Sequence, residues 1–352
     1  MEDSIDIQNS WLSKTESDII FSSRIRLARN MMDLPFPSRA DDSQKKEILK
    51  KVNANWFNTE LLNDCQFIEM QTLSNLDKQV FLERHLVSNE HIVDGDGKGL
   101  IVSDNQEISI MINEEDHLRM QVITSGFNLQ KCWRLLSGID EYFNKQFSFA
   151  FLPDLGYLTA CPTNLGTAMR ASCMMHLPGL ILTKRINKVL ELLAKISFTI
   201  RGFFGEGTQA LGNFFQISNQ SSLGFSEEEI VENLEGVINQ VKKQEEDARL
   251  ILSKKQNLQV EDSIWRALGI LRNARMINSQ EALSHLSLLF LGVDLGIIND
   301  NDFFGICNAR KLVFSLLLII QPAHLQLAKG KVLKEKERDC VRAEILREKL
   351  KK

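Results

Sequence analysis

The stretch Leu100-Ile-Val-Ser-Asp-Asn-Gln-Glu-Ile-Ser-Ile-Met-Ile-Asn-Glu-Glu-Asp-His-Leu-Arg-Met-Gln121 carries an alternation of period two, the repeat of a strand whose successive side chains point to opposite faces. Ile108, Ile110 and Ile112 alternate with Ser109, Met111 and Asn113, and Asp104-Asn105 ahead of them is a turn signal, so the segment reads as a hairpin. With the extended register carried on, Asn113, Glu115, His117 and Arg119 share the face opposite the isoleucines. The same alternation runs through Arg170, Ser172, Met174 and His176, and through Ser197, Thr199 and Arg201 with Ile196, Phe198 and Ile200 on the other side. Arginine-bearing strands without a regular strand-helix-strand alternation predict an α+β fold, an antiparallel sheet flanked by helices.

Past Ser226 the period changes. Ser226-Glu-Glu-Glu229 has the form of a capping box, and Ile230, Leu234, Val237, Ile238 and Val241 follow at helical spacing. Further helices are expected over Asp262–Arg275, from a cap near Asn278 with Glu281 three residues on, and over Asn308–Ile320, ahead of a charged tail from Lys329 to Lys352. The polar stretch Ser253–Gln259 marks a boundary near residue 250. The expected organisation is an N-terminal segment over 1–18, an α+β domain over 19–250 and an all-helical domain over 251–352.

Composition narrows the class. The 352 residues are 43% apolar and 25% charged, enough for two domains. Lys and Arg total 42 against 46 Asp and Glu, and the resulting charge of −4 gives no general electrostatic hold on nucleic acid. The six cysteines, at 65, 132, 161, 173, 307 and 340, form no C-x-x-C pair, and no signal peptide is read at the start. The longest apolar run, Leu312–Ile320 interrupted by Ser315, falls far short of the ~20 residues that span a bilayer. A soluble cytoplasmic protein, with neither nucleic acid nor membrane as partner, is expected.

The strands bring arginines with them: Arg24 and Arg26 in Ser22-Ser-Arg-Ile-Arg26, Arg119 after Asn113-Glu-Glu-Asp-His-Leu118, Arg170 before Ala171-Ser-Cys-Met-Met-His176, and Arg201 before Gly202-Phe-Phe-Gly-Glu206. Guanidinium forks hold a permanent charge and take phosphate oxygens bidentately. Glu114, Glu115 and Asp116 crowd three acids together, which costs repulsion unless a cation answers them. Such a run suits a solvated strand end as well as a cation site. Arginines beside paired carboxylates point to phosphoryl transfer onto a guanidino group, a poor nucleophile until carboxylates fix it and take its proton.

Glu115 is the first candidate for that work. Glu206 is its partner, on a glycine-flanked loop able to close over ligand. Asp94-Gly-Asp-Gly-Lys-Gly99 lacks the downstream ligands of a calcium loop, and no protein metal site is expected. No G-x-x-x-x-G-K-[ST] is present, and Asp302-Phe-Phe-Gly305 lacks an H-R-D to accompany it. ATP would then be held by side-chain cations, with magnesium neutralising the transferring group from the other side.

Ser22-Ser-Arg-Ile-Arg26, Asn113-Glu-Glu-Asp-His-Leu-Arg119, Cys161-Pro-Thr-Asn-Leu-Gly-Thr167, Arg170-Ala-Ser172, Arg201-Gly-Phe-Phe-Gly-Glu206 and Ile217-Ser-Asn219 stand in one order. In that order the chain resembles the catalytic domain of the phosphagen (ATP:guanido) kinases. The resemblance implies ATP bound along Ser22, Ser23, Arg24, Ile25 and Arg26, at His85 and Arg119, along Arg170, Ala171, Ser172, Cys173 and Met174, and along Arg201, Gly202, Phe203, Phe204, Gly205 and Glu206. It also implies the guanidinium on Glu115 and Glu206, with Glu114 and Cys161 on the substrate side. A small buried strand residue is the other reading of Cys161.

Two departures separate branches of that family. Creatine and arginine kinases carry a helical domain ahead of the Ser22 motif, where 21 residues stand here, so an arginine displayed on a protein is the expected acceptor. Arg338-Asp-Cys-Val-Arg-Ala343 resembles the R-D-x-x-R-A motif of bacterial protein-arginine kinases, which implies an allosteric phosphoarginine pocket of Arg338, Asp339 and Arg342. The same residues suit a solvated helix face of ion pairs. That branch implies Mg-ATP as donor, the marking of proteins for a Clp-type AAA+ unfoldase and protease, a zinc-binding activator protein and a homodimer. Two alternatives are a catalytically silent phosphoarginine-binding adaptor, against which the intact motifs speak, and a free-arginine kinase.

Overall fold

A computed structural model describes residues 19–202, 211–255, 257–303 and 308–351. The strands are β1 (Ile20–Arg29), β2 (Cys65–Glu69), β3 (Gly99–Ser103), β4 (Ile108–Ile112), β5 (Leu118–Ser125), β6 (Phe151–Leu152), β7 (Gly156–Tyr157), β8 (Met169–His176), β9 (Phe198–Gly202) and β10 (Phe214–Asn219). The main sheet has the order β2-β3-β4-β5-β1-β8-β10-β9, and β6 pairs with β7. From β2 to β1 every neighbouring pair is antiparallel. The helices are α1 (Asp42–Asn55), α2 (Asn75–Glu83), α3 (Asn89–Ile92), α4 (Leu129–Phe147), α5 (Pro178–Leu182), α6 (Ile186–Lys195), α7 (Glu227–Lys255), α8 (Asn257–Asn273), α9 (Ser279–Asp294), α10 (Ala309–Ile319), α11 (Pro322–Lys329) and α12 (Glu335–Lys349). This is the expected α+β class, with the helical C-terminal region.

Packing divides the chain into two compact units. One holds Ser22–Cys173 and Ser218–Gly236; the other holds Ile19–Phe21, Met174–Ile217 and Val237–Lys352.

In the first unit, pairing register assigns the faces. Ala28 lies opposite Arg119, which lies opposite Met111, and Arg26 lies opposite Gln121, which lies opposite Ser109. These residues therefore share one face with Arg24. Ile108, Ile110 and Ile112 share the other face with Leu118, Met120, Val122, Ile25 and Leu27, and α4 packs against β5 with Leu136, Ile139 and Phe143 buried. Burying each such side chain stabilises by about 1.5–3 kcal/mol. On the arginine face, Leu100, Val102 and Met111 are covered by Met70, Leu73, Phe81, Leu86 and Val87 from around α2. That apolar cover stops beside the arginines, so the site sits where the helical layer ends.

The extended register does not run through the acids. Asn113 adopts a left-handed conformation, φ 57°, and its N–H donates to His117 O at 3.0 Å, so 113–117 is a turn that lifts Glu115 off the strand face. Asparagine tolerates this geometry better than most residues. Its side chain secures the turn by donating to Lys45 O and Gly97 O at 2.9 and 2.7 Å.

The second unit has a mainly helical core. Phe214, Leu252, Ile264, Leu268, Leu286, Phe290, Val313, Leu317 and Leu346 are among its buried members. The expected caps at Ser226 and Asn278 are in place, Ser226 and Glu229 exchanging hydrogen bonds ahead of α7 in the first unit and Asn278 capping α9 in the second, where Asn308 also caps α10. Glu245 on α7 accepts Gly179 and Leu180 N–H at 2.8 Å each at the start of α5. Arg249 links Glu245 to Asp294, at 2.8 and 2.9 Å. No single helix among the described residues is long and apolar enough to cross a membrane.

Candidate active site

Arg24 and Arg26 rise from β1 on the same face, half-buried. Arg24 donates through Nε to Gln121 Oε1 at 2.8 Å, and through Nη2 to the same oxygen. Arg119, two residues before Gln121, donates to Glu114 Oε1. Arg170 on β8 donates through Nε and Nη2 to Ser218 Oγ at 3.3 and 3.0 Å. Asn219 fixes β8 beside it, accepting from Ala171 N and donating to Met169 O at 2.9 and 3.1 Å.

These four guanidinium groups repel one another. Burial, then the charges of Arg119 and Arg170, push the Arg24 pKa down to about 9. Burial, followed by Arg24, Arg119 and Arg170, pushes Arg26 in the same direction against a smaller opposing pull from Glu114. Arginine does not give up its proton in proteins, so the strain falls on the cluster and an anion relieves it. Arg26 Nε is buried and makes no hydrogen bond among the described residues. An isolated buried donor costs about 1–3 kcal/mol, and a polyphosphate supplies the oxygens. The residues fit the phosphates of ATP.

The acids divide their work. Burial alone would raise Glu114, but Arg119, the Ser88 hydroxyl and the Glu115 N–H outweigh it and hold its carboxyl below the ordinary value. Asp116 Oδ1 accepts from Asn30 Nδ2 at 2.6 Å and from Ala160 N at 2.7 Å. His117 Nδ1 accepts the Met31 N–H at 2.9 Å, leaving Nε2 to donate to Pro35 O, also at 2.9 Å. Glu115 is exposed, and among the described residues its carboxylate accepts no hydrogen bond. Partial burial, followed by the charges of Asp116 and Glu114, raises its pKa. A carboxylate held open and made more basic suits a group that receives a cation and then its proton.

The bond from Ala160 to Asp116 ties the acidic turn to the segment carrying Cys161. Cys161 is half-buried, its Sγ 2.9 Å from Thr163 Oγ1. Gly156 and Gly166 lie so close behind this segment that a Cβ on Gly156 would fall 2.2 Å from Gly166 O. The residue before Cys161 is thus hydrogen-bonded to the residue after Glu115.

His85 lies just past α2 in a left-handed conformation, φ 61°, its carbonyl accepting from Gln121 Nε2 at 2.7 Å. Burial, then Arg24, lowers its pKa to about 3, so the ring is neutral. Ser22, Ser23, Ile25, Ala171 and Cys173 are buried. Ser23 Oγ is occupied by Gly126 O and Asn128 N, both at 2.9 Å, and it approaches Cys173 Sγ at 3.6 Å. These residues therefore build the strands that present the arginines. Ser172 Oγ donates to Arg24 O at 3.4 Å. Met174, Arg201 and Gly202 belong to the second unit, Met174 in its core and Arg201 exposed on β9. Phe203, Phe204, Gly205 and Glu206 lie outside the described residues.

Three contributors were not foreseen: Gln121, Ser218 and Ser88. Gln121 stands two residues after Arg119, so the strand period was a signal for it, and Ser218 sits inside Ile217-Ser-Asn219.

Arg342 is 1% exposed and spent on protein acceptors. It donates to Asp339 Oδ1 at 2.6 Å, Ile277 O at 2.8 Å and Ile320 O at 2.9 Å. Arg338 and Asp339 are half-exposed, Arg338 donating to Leu333 O at 3.0 Å.

Residues 47–248 match the family model for the ATP:guanido phosphotransferase C-terminal catalytic domain, and residues 257–352 match that for the protein-arginine kinase McsB C-terminal domain. A crystal structure of lombricine kinase shares the fold with a TM-score of 0.58 at 24% identity, over 69% of this chain and 70% of that one. Fold and site together define a guanidino phosphotransferase that uses ATP. The protein-arginine kinase of Halothermothrix orenii is 45% identical over 335 residues, 95% of this chain and 94% of that protein. That of Desulforamulus reducens is 42% identical over 347 residues, 97% and 95% of the two chains. The chain belongs to the protein-arginine kinase family.

Arg170→Lys keeps the charge and loses the two-pronged hold on Ser218. Its kcat/KM for ATP is expected to fall roughly tenfold to a hundredfold with the fold intact. Wild-type constants in steady-state kinetics would make Arg170 a structural residue.

Proposed function

We propose that the protein transfers the γ-phosphoryl group of ATP to arginine side chains of other proteins. The carrying observation is the cluster of guanidinium groups on one sheet face beside a carboxylate, Glu115, that no donor among the described residues occupies. Arg24, Arg26, Arg119 and Arg170 hold phosphate oxygens and offset the charge that develops on the transferring group. Glu115, shared with Glu206, fixes the acceptor guanidinium. An N–P bond forms as the bond from the γ-phosphorus to the oxygen bridging to ADP breaks, and the proton leaving the nitrogen goes to Glu115. Magnesium, which takes few carboxylates and prefers substrate phosphates, would arrive on the ATP.

In the same reading the enzyme works in the cytoplasm, the modified proteins pass to a Clp-type AAA+ unfoldase, a zinc-binding protein stimulates the kinase, and two copies pair. Phosphoarginine binds at Arg338 and Asp339, with Arg342 forming the buried floor of that pocket. The names of the relatives support a protein-borne acceptor.

The test offers free L-arginine and an arginine-bearing unfolded protein to the enzyme with Mg-ATP in one assay. Faster turnover of the protein is expected. Preferred turnover of free arginine would overturn the reading in favour of a small-molecule kinase.

A further inference from the structure

Gln121 has no exposed surface, sits in the middle of β5 and belongs to none of the acidic or arginine-bearing positions, yet it is bonded to two elements of the site at once. Its partners settle which end of the amide is which. Arg24 can only donate and the His85 carbonyl can only accept, so Oε1 faces the guanidinium and Nε2 faces His85. Oε1 takes both Nε and Nη2 of Arg24. One edge of the fork is thereby fixed in direction. Nε2 holds the carbonyl of a residue in left-handed backbone, where a non-glycine chain needs a partner to stay.

The chemical type of the residue matters as much as its place. Arg24 stands among Arg26, Arg119 and Arg170, whose charges already push against it. A carboxylate at position 121 would relieve that repulsion from inside the protein and leave less for an anionic ligand to relieve. An amide oxygen orients the guanidinium without neutralising it. Arg170 likewise donates from Nε and Nη2 to a neutral oxygen, the Ser218 hydroxyl. Arg119, by contrast, is paired with Glu114.

We propose that Gln121 is a positioning residue that aims Arg24 and sets the His85 segment as one assembly, and that its neutrality preserves the cationic charge the phosphates meet. The proposal rests on the assignment of ATP to the arginine face. It makes the affinity for nucleotide, rather than the transfer step, the quantity that Gln121 controls.

Two variants of the full chain test it, with ATP binding by calorimetry, KM and kcat by steady-state kinetics and melting temperature measured side by side. Gln121→Leu removes both bonds and is expected to raise Kd and KM for ATP roughly tenfold to a hundredfold, with a smaller fall in kcat. Gln121→Glu keeps an acceptor for Arg24 and adds a charge, but gives up the N–H donated to the His85 carbonyl, so its melting temperature sets an ion pair gained against a hydrogen bond lost. Its affinity for ATP is expected to fall at least tenfold, in line with loss of a charge-assisted phosphate contact. Weakened ATP binding in a folded variant that still holds Arg24 is the signature a purely structural residue would not give. Wild-type KM in the folded Gln121→Glu variant would overturn the proposal, whatever happens to Gln121→Leu. Failure of the wild-type protein to bind ATP at all would instead overturn the nucleotide assignment beneath it.

Discussion

Glu115→Gln is expected to slow phosphoryl transfer by roughly 10²-fold or more, while ATP binds as it does to the wild type. The amide keeps the shape of the side chain and loses both the negative charge that fixes a guanidinium and the site that receives its proton. Its neighbours are already engaged: Glu114 with Arg119 and Ser88, and Asp116 with Asn30 and Ala160. Substituting either neighbour disturbs what it holds. Glu114→Gln is therefore expected to weaken ATP binding through Arg119, a pattern that separates the two glutamates in one kinetic comparison. The pH profile carries the same distinction. Burial and two nearby acids raise the Glu115 pKa, and the base acts only when ionised, so the wild-type rate is lost as pH falls through that raised value. This acid limb lies above the ordinary glutamate pKa of about 4.3. In Glu115→Gln the residual rate should lose it. Near-normal turnover of the variant, or an unchanged limb, would remove Glu115 from the reaction.

Arg342→Ala is expected to destabilise the helical unit by about 3–5 kcal/mol, the usual cost of breaking a buried ion pair from one side. Ile320 is the C-cap of α10, so its carbonyl is one of those a helix end leaves without an internal partner, and the Arg342 guanidinium satisfies it together with Ile277 O. Arg272 does the same at Leu350 O, the C-cap of α12, at 2.7 Å. Denaturant unfolding followed by circular dichroism gives the number, and a loss under 1 kcal/mol would contradict the structural role. Removal of Arg342 is accordingly a poor probe of ligand binding, because it confounds binding with folding. The half-exposed Asp339, changed to Asn, probes the proposed phosphoarginine pocket with less damage.

Much of the fold is local in origin, and that part could be read directly. The alternation at Ile108–Ile112 and the caps at Ser226 and Asn278 are set by residues within a few positions of one another. The turn at Asn113 was hidden because asparagine fits a strand end and a left-handed turn alike, and the choice is made by Lys45 and Gly97, distant in the chain. The partnership of Arg24 with Gln121 depends on β1 pairing with β5 across about a hundred residues, which no local pattern encodes. The helix that carries Arg342 is so polar that it suits a solvated face, whereas the carbonyls that Arg342 binds belong to the end of α10 and to the segment between α8 and α9. The arginines and acids were legible as chemistry because charge of both signs concentrated on strands is costly without a ligand. Their division of labour depended on hydrogen bonds that only the folded chain defines.

In the proposed reaction a phosphoryl group moves from ATP to a nitrogen of a protein-borne arginine, with Glu115 as acceptor of the proton. Mass spectrometry of an arginine-bearing protein incubated with Mg-ATP and either wild type or Glu115→Gln, handled without acid to preserve N–P bonds, tests it most directly. Phosphoryl groups are expected on arginine with the wild type, and roughly a hundredfold fewer or less with the variant. Phosphate found only on hydroxyl side chains, or equal arginine labelling by both proteins, would contradict it.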